Sequence, residues 1–210
     1  EHQRDWTGMT KRDSGILLVR LTLGSYLAVH GAQKLFGAFG GPGLEPAGAF
    51  FEQVGLKPGK PFATLAAASE LTGGVLTATG LAFPVGPVAI AGAMAVASSV
   101  HSDNGPMGQK GGYELPLTDM LAAVALALTG PGRYSLDSVF RLKLPRALVR
   151  LTVIGAAAIS TYCTAKVLRQ KRMPPAPAAV PGTSGDGAAA ATPPSAVSDA
   201  PEQETDSASR

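Results

Sequence analysis

Ionisable side chains that could do chemistry are few in the apolar part of this 210-residue chain, and their spacing is telling. Arg20, His30 and Lys34 fall within one apolar stretch. At 100° per residue, His30 and Lys34 point about 80° and 40° from Arg20, so a helix would carry all three on one face. Glu70 is the only charged residue between Lys60 and Asp103, where His101 also lies; Glu114 precedes another largely apolar run. An ionisable group at membrane depth costs about 2.5 kcal/mol or more, so each needs a partner or a purpose. We expect Arg20 to pair with Glu70, a pairing that would fix helix register before it did any chemistry. We expect His30, Lys34, His101 and Glu114 to converge near one rim as a polar site. Such a group could take up a proton, an anion, a quinone oxygen or a metal, or simply be an ordinary interfacial polar set. Histidine would exchange protons and lysine would stabilise a developing oxyanion. Metal has too few evident ligands, and haem is disfavoured because both histidines sit at helix ends and no attachment motif is present. Gly130, Gly132, Arg133 and Asp137 mark a turn in GPGRYSLD; it reads as structural ahead of anion-binding.

The elements that must position these groups follow from the missing charge. A bilayer crossing takes about 20 apolar residues, so 61–101 holds two, with Pro84-Val85-Gly86-Pro87 as the reversal. We predict helices over 14–36, 61–83, 87–101 and 115–130. A cleaved signal peptide competes for the first, and a buried hairpin in a soluble core for the middle two. A fifth segment, within 147–168, has only fifteen uncharged residues, about 22 Å of helix, and either crosses or lies at the interface. Between the first two predicted helices, Phe50, Phe51 and Val54 share a face of a short helix that either lies on the membrane surface or forms an ordered lid with packing aromatics and no ligand. The expected fold is all-α: a polytopic membrane four-helix bundle with a fifth membrane segment in question and a disordered C-terminal tail. Its parts are a cytoplasmic segment 1–13, the bundle 14–137, a basic linker with the fifth helix 138–173, and a Pro/Ala/Ser/Thr-rich tail 174–210.

Eight Lys/Arg fall on one side of four such helices and four on the other, which places the N-terminus in the cytoplasm of a plasma-membrane protein. A fifth crossing would level the count at eight each. The single cysteine excludes an internal disulfide. A net charge of +3, with no basic stripe, argues against nucleic acid. The lipid bilayer is the expected partner.

LLVRLTLG, HGAQKLFG, ASELTGGVLTATG, His101, Glu114-Leu115-Pro116 and GPGRYSLD, in that order over about 15–137, resemble the DoxX family of small four-helix membrane proteins. The resemblance places Arg20, His30, Lys34, Glu70, Glu114 and Arg133 at the family's characteristic polar positions. It implies a redox setting: related DoxD subunits belong to a thiosulfate:quinone oxidoreductase, and some DoxX proteins associate with a superoxide dismutase and a thiosulfate sulfurtransferase. The expected role is therefore a redox-linked subunit of a quinone or sulfur-compound oxidoreductase complex. A non-catalytic scaffold recruiting soluble redox or detoxifying enzymes is the alternative, and a small transporter or lipid-handling protein comes third. Turnover by this chain alone is not expected, since Cys163 by itself cannot run a dithiol cycle. Quinone is the cofactor in view; the substrate, redox partner, oligomeric state and true N-terminus are left open.

Overall fold

A computed structural model describes residues 10–173, and every regular element among them is helical. The helices are α1 (Lys11–Phe36), α2 (Leu44–Gln53), α3 (Gly59–Thr79), α4 (Val85–Val100), α5 (Glu114–Thr129), α6 (Leu136–Phe140) and α7 (Arg146–Arg172). The expected disordered tail, 174–210, and most of the N-terminal segment lie outside the described residues.

Local sequence accounts for the boundaries. Thr10 caps α1 by accepting the Asp13 N–H at 3.1 Å and donates its hydroxyl to the Asp13 carboxylate, a reciprocal start that satisfies otherwise orphaned groups. The helix therefore begins three residues before the expected position 14. The reversal after α3 also comes earlier than expected. Gly80 takes the left-handed conformation at φ 65°, so α3 stops at Thr79. Val85, Gly86 and Pro87 belong to the first turn of α4, where proline's missing N–H costs nothing.

The largest helix interface joins α1 and α3, which run antiparallel. Glycine makes it close: a Cβ on Gly24 would meet Ala78 N at 2.5 Å and Gly74 O at 2.6 Å, and one on Gly31 would meet Ala67 O at 2.6 Å. Position numbers of facing residues in this seam sum to about 100, so Arg20 is level with Gly80 and His30 with Glu70. α4 and α5 pack beside it through Ile90, Met94, Ala123 and Leu126, joined by Leu23 and Leu27 of α1 and by Phe83.

α7 runs along α4 in the same direction. Ser160 Oγ donates to Gly92 O at 2.9 Å, and eleven residues later Lys171 Nζ donates to Val100 O at 3.0 Å and meets Asp103 Oδ2 at 2.9 Å. Lys166 Nζ donates to Lys57 O. Its basic residues thus cap backbone at the end of the molecule that carries α2, here the lid end. The opposite end, built around residues 80–83 and 131–137, is the turn end. With 27 residues α7 extends about 40 Å, well past the uncharged window that made it look short. Among the described helices, α1 and α7 are long and apolar enough to cross a membrane by length and composition, and α4 is a shorter apolar helix. Their outer faces expose Leu18, Val19, Leu21, Leu151, Val153 and Ile154, an apolar surface that water would penalise.

Candidate functional site

Arg20 and Glu70 do not pair. The seam register separates their levels by ten residues, about 15 Å of helix rise, beyond the reach of an arginine. Arg20, fully buried, instead donates Nε to Thr77 O at 3.0 Å and Nη2 to Ala78 O at 2.9 Å. Its Nη1 donates to Tyr134 O at 3.1 Å and to Pro131 O. These carbonyls lie in the last turn of α3 and in the GPGRYSLD turn, so one guanidinium ties α1, α3 and residues 131–134 together. Asp137 completes the knot by accepting the Ala82 and Phe83 N–H groups, both at 2.8 Å. The Arg133 N–H donates to Asp13 Oδ1 at 3.3 Å. Gly130 and Gly132 supply the positive φ angles, 91° and 72°, that reverse the chain here. Within the turn, the Arg133 N–H is thus spent on a carboxylate of the protein and the Asp137 N–H on Gly80 O at 3.1 Å.

At the lid end, Lys34 Nζ donates to both carboxylate oxygens of Glu70. The carboxylate is nearly buried, with 5% of its side chain exposed, while Lys34 retains 30%. Two cavities meet at this pair. The larger, about 580 Å³, lies among α2, α3, α4 and α7. Phe50, Phe51, Phe62, Leu65, Val96 and Ile159 make it apolar along its length, and Lys34, Glu70, Ser69 and His101 form its polar end. The smaller, about 160 Å³, lies among α1, α3, α4 and α5 and is lined by Tyr26, His30, Lys34, Glu70, His101 and Asp119. Lys34, Glu70, Ala97 and His101 line both.

Three of the four residues expected to converge do so, since His30, Lys34 and His101 all line the smaller cavity. His30 sets its ring edge-on against Tyr26, one helical turn earlier, at 4.5 Å between centroids. His101 Nδ1 is 2.9 Å from Gly111 O. A carbonyl can only accept, so Nδ1 carries the hydrogen and Nε2 is left as an acceptor or second donor. Glu114 does not join them. Its Oε2 accepts the Gly108 N–H at 2.9 Å, and it orders the loop that leads into α5. The carboxylate that takes its place is Asp119, one turn further along.

Asp119 was legible by the rule that singled out Glu70, being the one charged side chain inside the otherwise apolar α5 after its first residue. Tyr26 had only its i, i+4 spacing to His30 as a signal. The expected short helix between the first two long ones forms as α2, and its Phe50 and Phe51 line the larger cavity. Nothing in the sequence indicated that α7 would wall that cavity with Thr152, Gly155, Ala156 and Cys163. Among the described residues, no three His, Cys, Asp or Glu side chains are grouped to hold a metal.

No curated protein and no solved structure matches the chain. A family profile described as DoxX matches residues 15–102, which carry Arg20, His30, Lys34, Glu70 and His101. The match ends before Glu114, Asp119, the 130–137 turn and α7. Residues 15–102 thus match the DoxX family, a family of small integral membrane proteins.

Proposed function

We propose that this protein is a redox-linked membrane subunit whose larger cavity holds a quinone-class molecule, the ring at Lys34, Glu70 and His101 and the tail along α7. One observation carries the reading: a cavity of about 580 Å³ with mainly apolar walls has the Lys34–Glu70 ion pair in its lining, the carboxylate nearly buried. Ligand pockets of about 300–1,000 Å³ combine apolar walls with a few placed polar groups in this way. A ring carbonyl would accept from Lys34, and Phe50, Phe51 and Phe62 suit a planar head and a branched tail.

In this reading α1, α3, α4 and α5 cross the plasma membrane as a four-helix bundle. The turn end and the N-terminus then lie on the cytoplasmic side. α7, parallel to α4, adds a fifth crossing and levels the Lys/Arg count at eight for each end. Electrons come from a partner, because the sole cysteine cannot cycle alone. The scaffold alternative draws support from the exposed basic run of Arg141, Lys143, Arg146 and Arg150. Recovery of a soluble redox enzyme that is lost when these four are neutralised would favour it.

The test is equilibrium binding of a decyl-tailed benzoquinone to the purified full chain in mild detergent. Gly155 lines the chamber, and a Cβ there meets no atom within 4 Å, so Gly155→Leu narrows the cavity without a clash. Saturable binding to the native chain, weakened at least about tenfold by Gly155→Leu, is expected. Absence of saturable binding, or equal affinity in the two proteins, would refute the reading.

A further inference from the structure

The two cavities are separated by a wall that is itself ionisable. Glu70, Lys34 and His101 face the lipid-type chamber on one side and, on the other, a pocket that holds Tyr26, His30 and Asp119. Asp119 and His30 line only the smaller pocket. We infer that Glu70 is a proton-exchange site with two accesses, receiving protons from the polar pocket and delivering them to a ligand oxygen in the apolar chamber.

The groups that face Glu70 come from two helices and the end of a third: Tyr26, His30 and Lys34 on α1, Asp119 on α5, and His101 capping α4. Glu114 is turned away to the Gly108 N–H. α3 supplies Glu70 alone. Tyr26, His30 and Asp119 are all within electrostatic reach of its carboxylate. A proton passed to Glu70 from His30 leaves a neutral imidazole behind; one passed from Asp119 leaves a carboxylate. Either way the Glu70 carboxyl becomes neutral and Lys34 loses its counter-charge. Releasing the proton to a basic ligand oxygen, forming an O–H bond there, restores the Lys34–Glu70 contact. No electron moves in this step. Lys34, with 30% of its side chain exposed, has room to swing aside while the carboxylate stays fixed. A buried ion pair shared by two cavities is thus a partition that a single proton opens, whereas an aliphatic pair at these positions would seal it.

The inference rests on the quinone reading only for the identity of the acceptor, and its test needs no ligand. The full chain in phospholipid vesicles is treated in parallel with a lipid-soluble carbodiimide (dicyclohexylcarbodiimide) and a water-soluble, permanently charged one. Both reagents add to a protonated carboxyl and leave a stable N-acylurea or, where the Lys34 amine displaces the urea from activated Glu70, a Lys34–Glu70 isopeptide; either product, located by peptide mass spectrometry, counts as modification of Glu70. We expect both to modify Glu70 and only the charged one to modify Asp119. Lys34→Met, which removes the competing cation, should raise lipid-side modification of Glu70 at least threefold. Modification of Glu70 by one reagent alone, or by neither, in the native chain overturns the inference, whatever the variant does. Two-sided modification without quinone binding would overturn the proposed function and leave the two accesses standing; quinone binding with one-sided modification would do the reverse.

Discussion

Replacing Lys34 by methionine keeps the length of the side chain and removes its charge, leaving the Glu70 carboxylate, 5% exposed, with no cation beside it. Breaking a fully buried pair from one side costs about 3–5 kcal/mol. The low end, about 3 kcal/mol, applies here because Lys34 is partly open and the carboxyl can take up a proton. Glu70→Gln is milder, about 1 kcal/mol, since a lysine 30% exposed can extend toward water. In the double variant neither charge is stranded, so its cost should fall near about 2 kcal/mol, a coupling of about 2 kcal/mol between the two positions. The control is Arg20→Met combined with Glu70→Gln. Those residues contact different groups at different levels, and their effects should add within about 0.5 kcal/mol. The assay is reversible unfolding in mixed micelles by added denaturing detergent, followed by helical circular dichroism. Additive behaviour of the Lys34 and Glu70 variants, or coupling of the Arg20 and Glu70 variants, would refute the arrangement described here.

Other expectations follow from the packing and the cavities. Gly31→Ala drives a methyl group into the α3 backbone and should cost about 2 kcal/mol or more in the same unfolding assay, while Gly15→Ala, where a Cβ meets nothing within 4 Å, should not destabilise. Asp137→Ala strands the Ala82 and Phe83 N–H groups and should cost about 3 kcal/mol, with Asp137→Asn retaining part of the loss. The Cys163 thiol, buried and lining the chamber, should react slowly with an apolar maleimide, and several-fold more slowly still once the chamber is filled with a decyl-tailed benzoquinone. An unchanged labelling rate at saturating quinone would count against a shared cavity.

Much of the fold was legible because each long helix is written as a stretch with few charges and with glycine or proline near its ends. The polar partners were less so. Arg20 and Glu70 were natural complements by charge, but their levels depend on the antiparallel register of α1 and α3. That register is set by where Gly24, Gly31 and Gly74 permit contact, not by charge. Lys34 was placed at the right rim and on the right face, yet its match to Glu70 emerges only from the same register. Asp137 was expected to serve its own turn; it reaches back to residues 82–83, a long-range contact that no local pattern encodes. α7 looked too short because the uncharged window was taken for the helix. Its basic flanks instead stay helical and donate to exposed carbonyls such as Val100 O and Lys57 O.

The most direct test of the chamber is photo-crosslinking with a short-tailed benzoquinone carrying a diazirine at the end of its tail, applied to the full chain in bilayers and mapped by mass spectrometry. The account predicts adducts on the chamber-facing positions of α3, α4 and α7, such as Leu65, Val96 and Ile159, all suppressed by excess unlabelled quinone. Adducts confined to the outer faces of α1 and α5, or labelling that unlabelled quinone does not suppress, would contradict it.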